Sequence, residues 1–364
     1  MTRPSRIFAW SLCLTALLAG VVVASAALGS VSIDPVTVAM AILNAVVVPV
    51  GLERTGWAVP IVGWTVPVVA LEFAPLFAFD VPSAHQTIVA DIRLPRIALA
   101  ATVGFGLAAA GTVMQGFFRN PLADPSIIGV SSGAAVGAVA VIAFPVLVPV
   151  GLRPAAFTTA VVTAFLVYAI ATEGGRTPVA TLLLAGVAIQ AFLGAVISYM
   201  LLHSGESLRE AVVWLMGHLS NSTWNDVALS LPFVLAGVVI LGAYTREMNV
   251  LLLGEEDAHH LGVEVERTKL LLLALASVIT AAGVAVAGVI GFVGLVVPHM
   301  MRLIVGPDHR ILLPTSALAG ASFLVATDTI ARAGPAEVPV GIVTAALGAP
   351  FFLYLLVRRE VHAL

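Results

Sequence analysis

Residues 246–269, "REMNVLLLGEEDAHHLGVEVERTK", place nine charged side chains in 24 positions: Arg246, Glu247, Glu255, Glu256, Asp257, Glu264, Glu266, Arg267 and Lys269. His259 and His260 lie among them. Carboxylate and imidazole bind metals, and positions 255, 256 and 259 can share one helix face. The adjacent histidines, however, point apart on a helix, so the four groups do not converge and no metal site is assigned. Phosphate chemistry fails as well. A Walker A loop needs a lysine behind a glycine-rich turn, and Lys269, the only lysine, follows "VERT". No H-E-x-x-H or G-x-S-x-G occurs, and nothing places a serine, a histidine and an aspartate together. No catalytic residue and no cofactor are expected. Two readings of the island remain. One is an ordinary solvated loop. The other is a partner-binding surface, in which apolar anchors such as Leu252 and Leu261 sit within a polar rim.

The rest of the chain says what must position such a surface. The 364 residues are 60% hydrophobic and only 10% charged, whereas a soluble domain is about 45–50% apolar and 25% charged. The mean hydropathy is +1.08. This is the composition of a polytopic membrane protein. The net charge of −3 gives no reason to expect a nucleic-acid partner. The single Cys13 excludes an internal disulfide and leaves the compartment open.

Lipid supplies no hydrogen bonds, so spanning segments are helices or closed barrels. Apolar runs of about 20 residues indicate helices. Ten are expected, at 7–29, 92–115, 126–148, 155–171, 178–202, 226–245, 268–289, 291–305, 311–331 and 340–357. The fold class is therefore all-α, within a single membrane domain over 1–364. Asp124 before Pro125, and Thr177 before Pro178, look like helix starts. Residues 57–79 are long enough to cross, but they contain Pro60, Pro67, Pro75 and Glu72. We read them as part of an extended external loop, 30–90, with a true span as the alternative. With the N-terminus inside, 11 of the 17 arginines and lysines fall inside and 6 outside, which favours that orientation. The island is then cytoplasmic.

A carrier that harvests an ion gradient carries ionisable groups within its spans, and the expected span centres are nearly free of them. If ATP drives transport, the ATPase is another polypeptide, and residues 246–268 are where it would dock.

Four stretches carry a family resemblance. They are "DIRLPRIALAATVGFGLAAAGTVMQGFFRNPLADPSIIGVSSGAAVG" (91–137), "NVLLLGEEDAHHLGVEVER" (249–267), "AGVIGFVGLVVPHMMRLIVGPDHRILLPTSALAGASFLVATDTIAR" (287–332) and "AEVPVGIVTAALGAPFFLYLL" (336–356). From about residue 91 onward the chain resembles the FecCD/BtuC-like permease subunits of ABC importers for iron siderophores, haem and cobalamin. The departure is the long segment 30–90.

The resemblance implies a type II importer permease of about ten spans in the cell membrane. It implies a homodimer, two cytoplasmic ABC ATPase subunits and an external substrate-binding protein. It assigns Glu255, Glu256, Ala258, Leu261 and Gly262 to coupling helices seated in the ATPase. It assigns Arg93, Arg96 and Arg332 to docking of the binding protein through glutamates; ordinary interfacial anchoring is the alternative. A short helix within 204–224 is implied at the vestibule. Cobalamin is the first choice of cargo, with siderophore or haem as the alternative.

Overall fold

The computed structural model describes residues 3–29, 31–58, 65–334 and 336–358. Its α-helices are α1 (Arg3–Ala27), α2 (Pro35–Asn44), α3 (Ser83–Thr87), α4 (Leu94–Phe117), α5 (Val130–Ala143), α6 (Leu152–Ala171), α7 (Val179–Leu202), α8 (Leu208–Leu215), α9 (Trp224–Ala243), α10 (Thr245–Leu251), α11 (Glu255–His260), α12 (Val265–Ala287), α13 (Val293–Val305), α14 (His309–Ala331) and α15 (Val340–Arg358). Each of the ten expected segments is helical. The helices outnumber ten because α2, α3, α8, α10 and α11 form connections. Among the described residues, seven helical stretches are long and apolar enough to cross a membrane, and α5, α13 and α15 are apolar but shorter.

The expectation of an all-α chain needs one correction. Strands β1 (Val47–Ala58) and β2 (Thr65–Pro75) form an antiparallel hairpin, paired from Val47 with Pro75 to Ala58 with Thr65. The candidate span 57–79 is thus not a helix where it is described. A lone hairpin has two open edges, which hydrocarbon cannot hydrogen-bond. The ends of the hairpin are also fastened together. Asn44 Nδ2 donates to Phe79 O at 3.0 Å, and Phe79 N donates back to Asn44 Oδ1 at 2.8 Å. Asp34 caps α2 by accepting from Val36 N at 3.0 Å and Thr37 N at 3.2 Å, with Pro35 at the position where its missing N–H costs nothing.

Helix α4 is the axis of the fold and packs against α9, α12, α13 and α14. Glycine makes this possible. Gly104 of α4 and Gly320 of α14 lie against each other's backbone, and Gly111 lies against Gly294 of α13, leaving no room for a Cβ at these sites. In the same way Gly133 and Gly137 of α5 press on Thr159 and Thr163 of α6. That stripe is therefore an intrachain contact of the small-residue kind that membrane helices use. Helix α7, by contrast, exposes Leu184, Val187, Phe192, Tyr199 and Leu202.

The Asp124 cap is present. Its Oδ1 accepts from Ser126 N at 2.9 Å and starts a 3₁₀ turn, Pro125–Ile128, ahead of α5. Thr177 does not cap α7. Its backbone is engaged elsewhere, as described next.

Candidate functional site

The polar island folds as α10, α11 and the start of α12. Glu255, Glu256, Asp257, His259, His260, Leu261 and Gly262 are exposed, whereas Ala258 is fully buried. Ala258 therefore seats α11 on the body of the protein, and its neighbours face outward. Leu253 and Leu261 are the exposed apolar side chains; Leu252 is half-buried. Gly262 has φ +82, a left-handed conformation that glycine adopts without steric cost, and it turns the chain from α11 into α12. His259 and His260 have ring centroids 6.3 Å apart. Among the described residues no group of three or more His, Cys, Asp or Glu is placed to hold a metal.

Lys269 belongs to this surface by sequence but not by position. It is only 3% exposed. Its Nζ donates to Thr177 O at 2.6 Å and pairs with Glu255 and Glu266, each at 3.0 Å. Glu266 Oε2 in turn accepts from Thr177 N at 3.0 Å. One buried cation thus ties α11, α12 and the start of α7 together. A second tie runs through Asn249 of α10. Its Nδ2 donates to Asp308 Oδ1 at 2.7 Å, and its Oδ1 accepts from His309 N at 2.9 Å. The island is anchored in this way to the start of α14. Two clefts flank it: one of about 320 Å³ between Tyr244, Leu261 and Arg267, and one of about 730 Å³ between Arg176, Glu256 and Glu264.

Helix α14 leads to the opposite end of the molecule, where the three arginines do meet. A π-helical turn, Ile88–Arg93, precedes α4. Arg93 is 6% exposed, and its guanidinium donates to the carbonyls of Ala26, Ala27 and Val31. It caps the orphan carbonyls at the end of α1, as a cation at a helix C-terminus does. Both terminal nitrogens of Arg93 are thus engaged within the chain. Arg96 makes a bidentate pair with Asp328, Nη2 to Oδ1 at 2.7 Å and Nε to Oδ2 at 3.0 Å, and its Nη2 also meets Glu337 Oε1 at 2.7 Å. Arg332 Nε pairs with Asp328 Oδ2 at 3.1 Å, and its Nη2 donates to Ser25 Oγ at 2.8 Å.

Asp328 is therefore the shared counter-ion of Arg96 and Arg332. Sequence reasoning did not find it, although Asp328 and Arg332 stand at i, i+4, the spacing of a helical ion pair. Nothing in the sequence points to Glu337. Burial lowers the pKa of Arg332, and the field of Asp328 partly restores it. Burial also lowers that of nearby His218, against the field of Glu337. Beside this end lies a cleft of about 560 Å³ whose lining includes Arg153, Arg209, Glu206, Trp214 and His218. Arg153 pairs there with Asp226, which also accepts from Thr223 N at 2.9 Å in the capping box that starts α9.

The chain matches the FecCD transport family over residues 17–358. It is 59% identical over 364 residues to the cobalamin import system permease of Halobacterium salinarum, covering 99% of both chains. That match includes the long segment 30–90. The hemin transport system permease of Yersinia pestis is 42% identical over 80% of this chain and 90% of its own. The solved structure of an inward-facing metal-chelate type ABC transporter superposes with a TM-score of 0.77 at 30% identity, covering 98% of this chain and 99% of that one. With its two polar ends and its membrane-length helices, the chain is a multi-pass membrane permease of the FecCD transport family.

Proposed function

We propose that this permease is the membrane subunit of an ATP-driven importer whose cargo is cobalamin. The observation that carries the choice of cargo is the 59% identity, over 99% of both chains, to a cobalamin import permease. Haem is the cargo named for a relative at 42%. Ten spans are proposed: the seven long helices together with α5, α13 and α15. Two copies form the transporter, and the exposed apolar residues of α7 support contact with a second copy.

The island faces the cytoplasm, and the islands of the two copies together receive two ATPase subunits. Glu255, Glu256, Leu261 and Gly262 supply the contact, while buried Ala258 holds α11 at the right height. ATP is hydrolysed on those subunits, because this chain contains no phosphate cradle of the Walker type. Residues 30–90 and the arginine cluster face outward, and the binding protein docks at Arg96 and Arg332. Arg93 contributes by fixing the end of α1 beneath them.

The test is transport. The permease, its ATPase and its substrate-binding protein, reconstituted in liposomes, should take up labelled cyanocobalamin only when all three are present with ATP. Uptake of haem or a ferric siderophore, with none of cobalamin, would reassign the cargo. Cobalamin uptake driven by an ion gradient without the ATPase would overturn the reading itself.

A further inference from the structure

The two carboxylates on Arg96 are not equivalent. Asp328 is 1% exposed, is held by both Arg96 and Arg332, and rises from the helix that forms this end of the fold. Removing it would leave Arg332 without a carboxylate and Arg96 with only the half-exposed Glu337, which is costly for two largely desolvated cations. Glu337 lies in the connection between α14 and α15, is 45% exposed, and meets Arg96 through Oε1 at 2.7 Å. A half-exposed ion pair of this kind is weak, because water solvates the released carboxylate well. Asp328 is thus a permanent counter-ion, and Glu337 an exchangeable one.

We infer that Glu337 is an internal stand-in for the carboxylate of an acidic protein partner, occupying Arg96 in the undocked permease and yielding it on docking. This rests on the docking reading above and adds a regulatory element to it. The guanidinium of Arg96 presents Nη2 to Glu337, so an incoming glutamate competes with Glu337 for the same cation. With Glu337 in place, Asp328 and Glu337 together balance Arg96 and Arg332, so the positive field at this end is weaker than with Arg96 uncovered. Once Glu337 is displaced, a cation is uncovered at the point of contact. The exchange keeps Arg96 neutralised whenever no partner is present, and it sets a threshold that a weakly acidic partner does not cross. Rim charges act mainly on encounter rate and its salt dependence, so the stand-in should slow association more than it alters dissociation.

The experiment compares the wild-type permease, Glu337→Gln, Arg96→Glu and the double variant, each full-length with its ATPase in nanodiscs. Association with the substrate-binding protein of the same transport system is followed at low salt, where screening is least. Glu337→Gln should raise the association rate about 3- to 10-fold and steepen its dependence on salt. Glu337→Ala, which also removes the hydrogen-bond acceptor, should do the same. Arg96→Glu should slow association, and adding Glu337→Gln to it should recover much less than in the wild type, because the stand-in then has no arginine to cover. If Arg96→Glu slows association but neither Glu337 variant speeds it, the stand-in is wrong and the docking reading survives. If Arg96→Glu changes nothing, the docking reading fails, and the inference fails with it.

Discussion

Lys269 of α12 and Glu255 of α11 form an ion pair 3.0 Å long whose lysine is almost wholly buried. The one lysine of the chain is thus the fastening between the exposed polar surface and the helix bundle, with Thr177 and Glu266 as its other partners. Replacing Lys269 by methionine keeps the aliphatic stem and removes the charge. The carboxylates of Glu255 and Glu266 and the carbonyl of Thr177 then lose their donor. The expected cost is about 1–3 kcal/mol, read as a lowered melting temperature of the solubilised permease. ATPase activity should also respond less to substrate, because α11 has lost its ion pair to α12.

Leu261 is exposed at the end of α11, beside the cleft lined by Tyr244 and Arg267. Leu261→Asp should leave the melting temperature nearly unchanged, since the side chain has little packing to lose. Co-purification of the ATPase should fall at least tenfold. Retention of the ATPase together with normal substrate-stimulated hydrolysis would show that this surface is not the coupling element.

Asn249 should behave differently. It lies behind the surface and bonds the start of α14 through Asp308 and the backbone of His309. Asn249→Ala should allow the ATPase to bind but weaken its stimulation by the loaded binding protein. Loss of ATPase binding equal to that in Leu261→Asp would assign Asn249 to the contact instead.

The hairpin leads to a topological expectation. Asn44 and Phe79 are bonded to each other on either side of it, so both flanks must lie on one side of the membrane. In a background lacking Cys13, cysteines at Val50 and Ser83 should both react with an impermeant thiol reagent added outside. Reaction of only one would mean that the segment crosses.

Arg93→Gln tests the anchoring role. It should lower the melting temperature by removing the charged bonds to Ala26, Ala27 and Val31, a loss of about 1–3 kcal/mol. Association with the binding protein should fall far less than in Arg96→Glu. An equal fall, with unchanged stability, would return Arg93 to the docking surface.

Much of this protein is local information. Membrane helices declare themselves as apolar runs because lipid demands it, and each of the ten expected segments is helical. The cap at Asp124 and the polar island are likewise read within a few residues. The segment 57–79 is ambiguous on length alone: strand or span depends on what residues 47–58 pair with. The arginine cluster shows the same limit more sharply. Arg93 and Arg96 are three residues apart, yet one is a helix cap and the other an ion-pair partner. What separates them is the end of α1, some 65 positions away in sequence, and Asp328, 232 positions away. Lys269 likewise reads as one charge among nine until folding brings Thr177 to it across 92 positions. Composition and spacing set which segments enter the membrane, because transfer free energy is a sum over residues. Which charges stay wet and which are spent inside was decided only by tertiary packing, because the desolvation of an ion and its neutralisation depend on neighbours that the chain supplies from elsewhere.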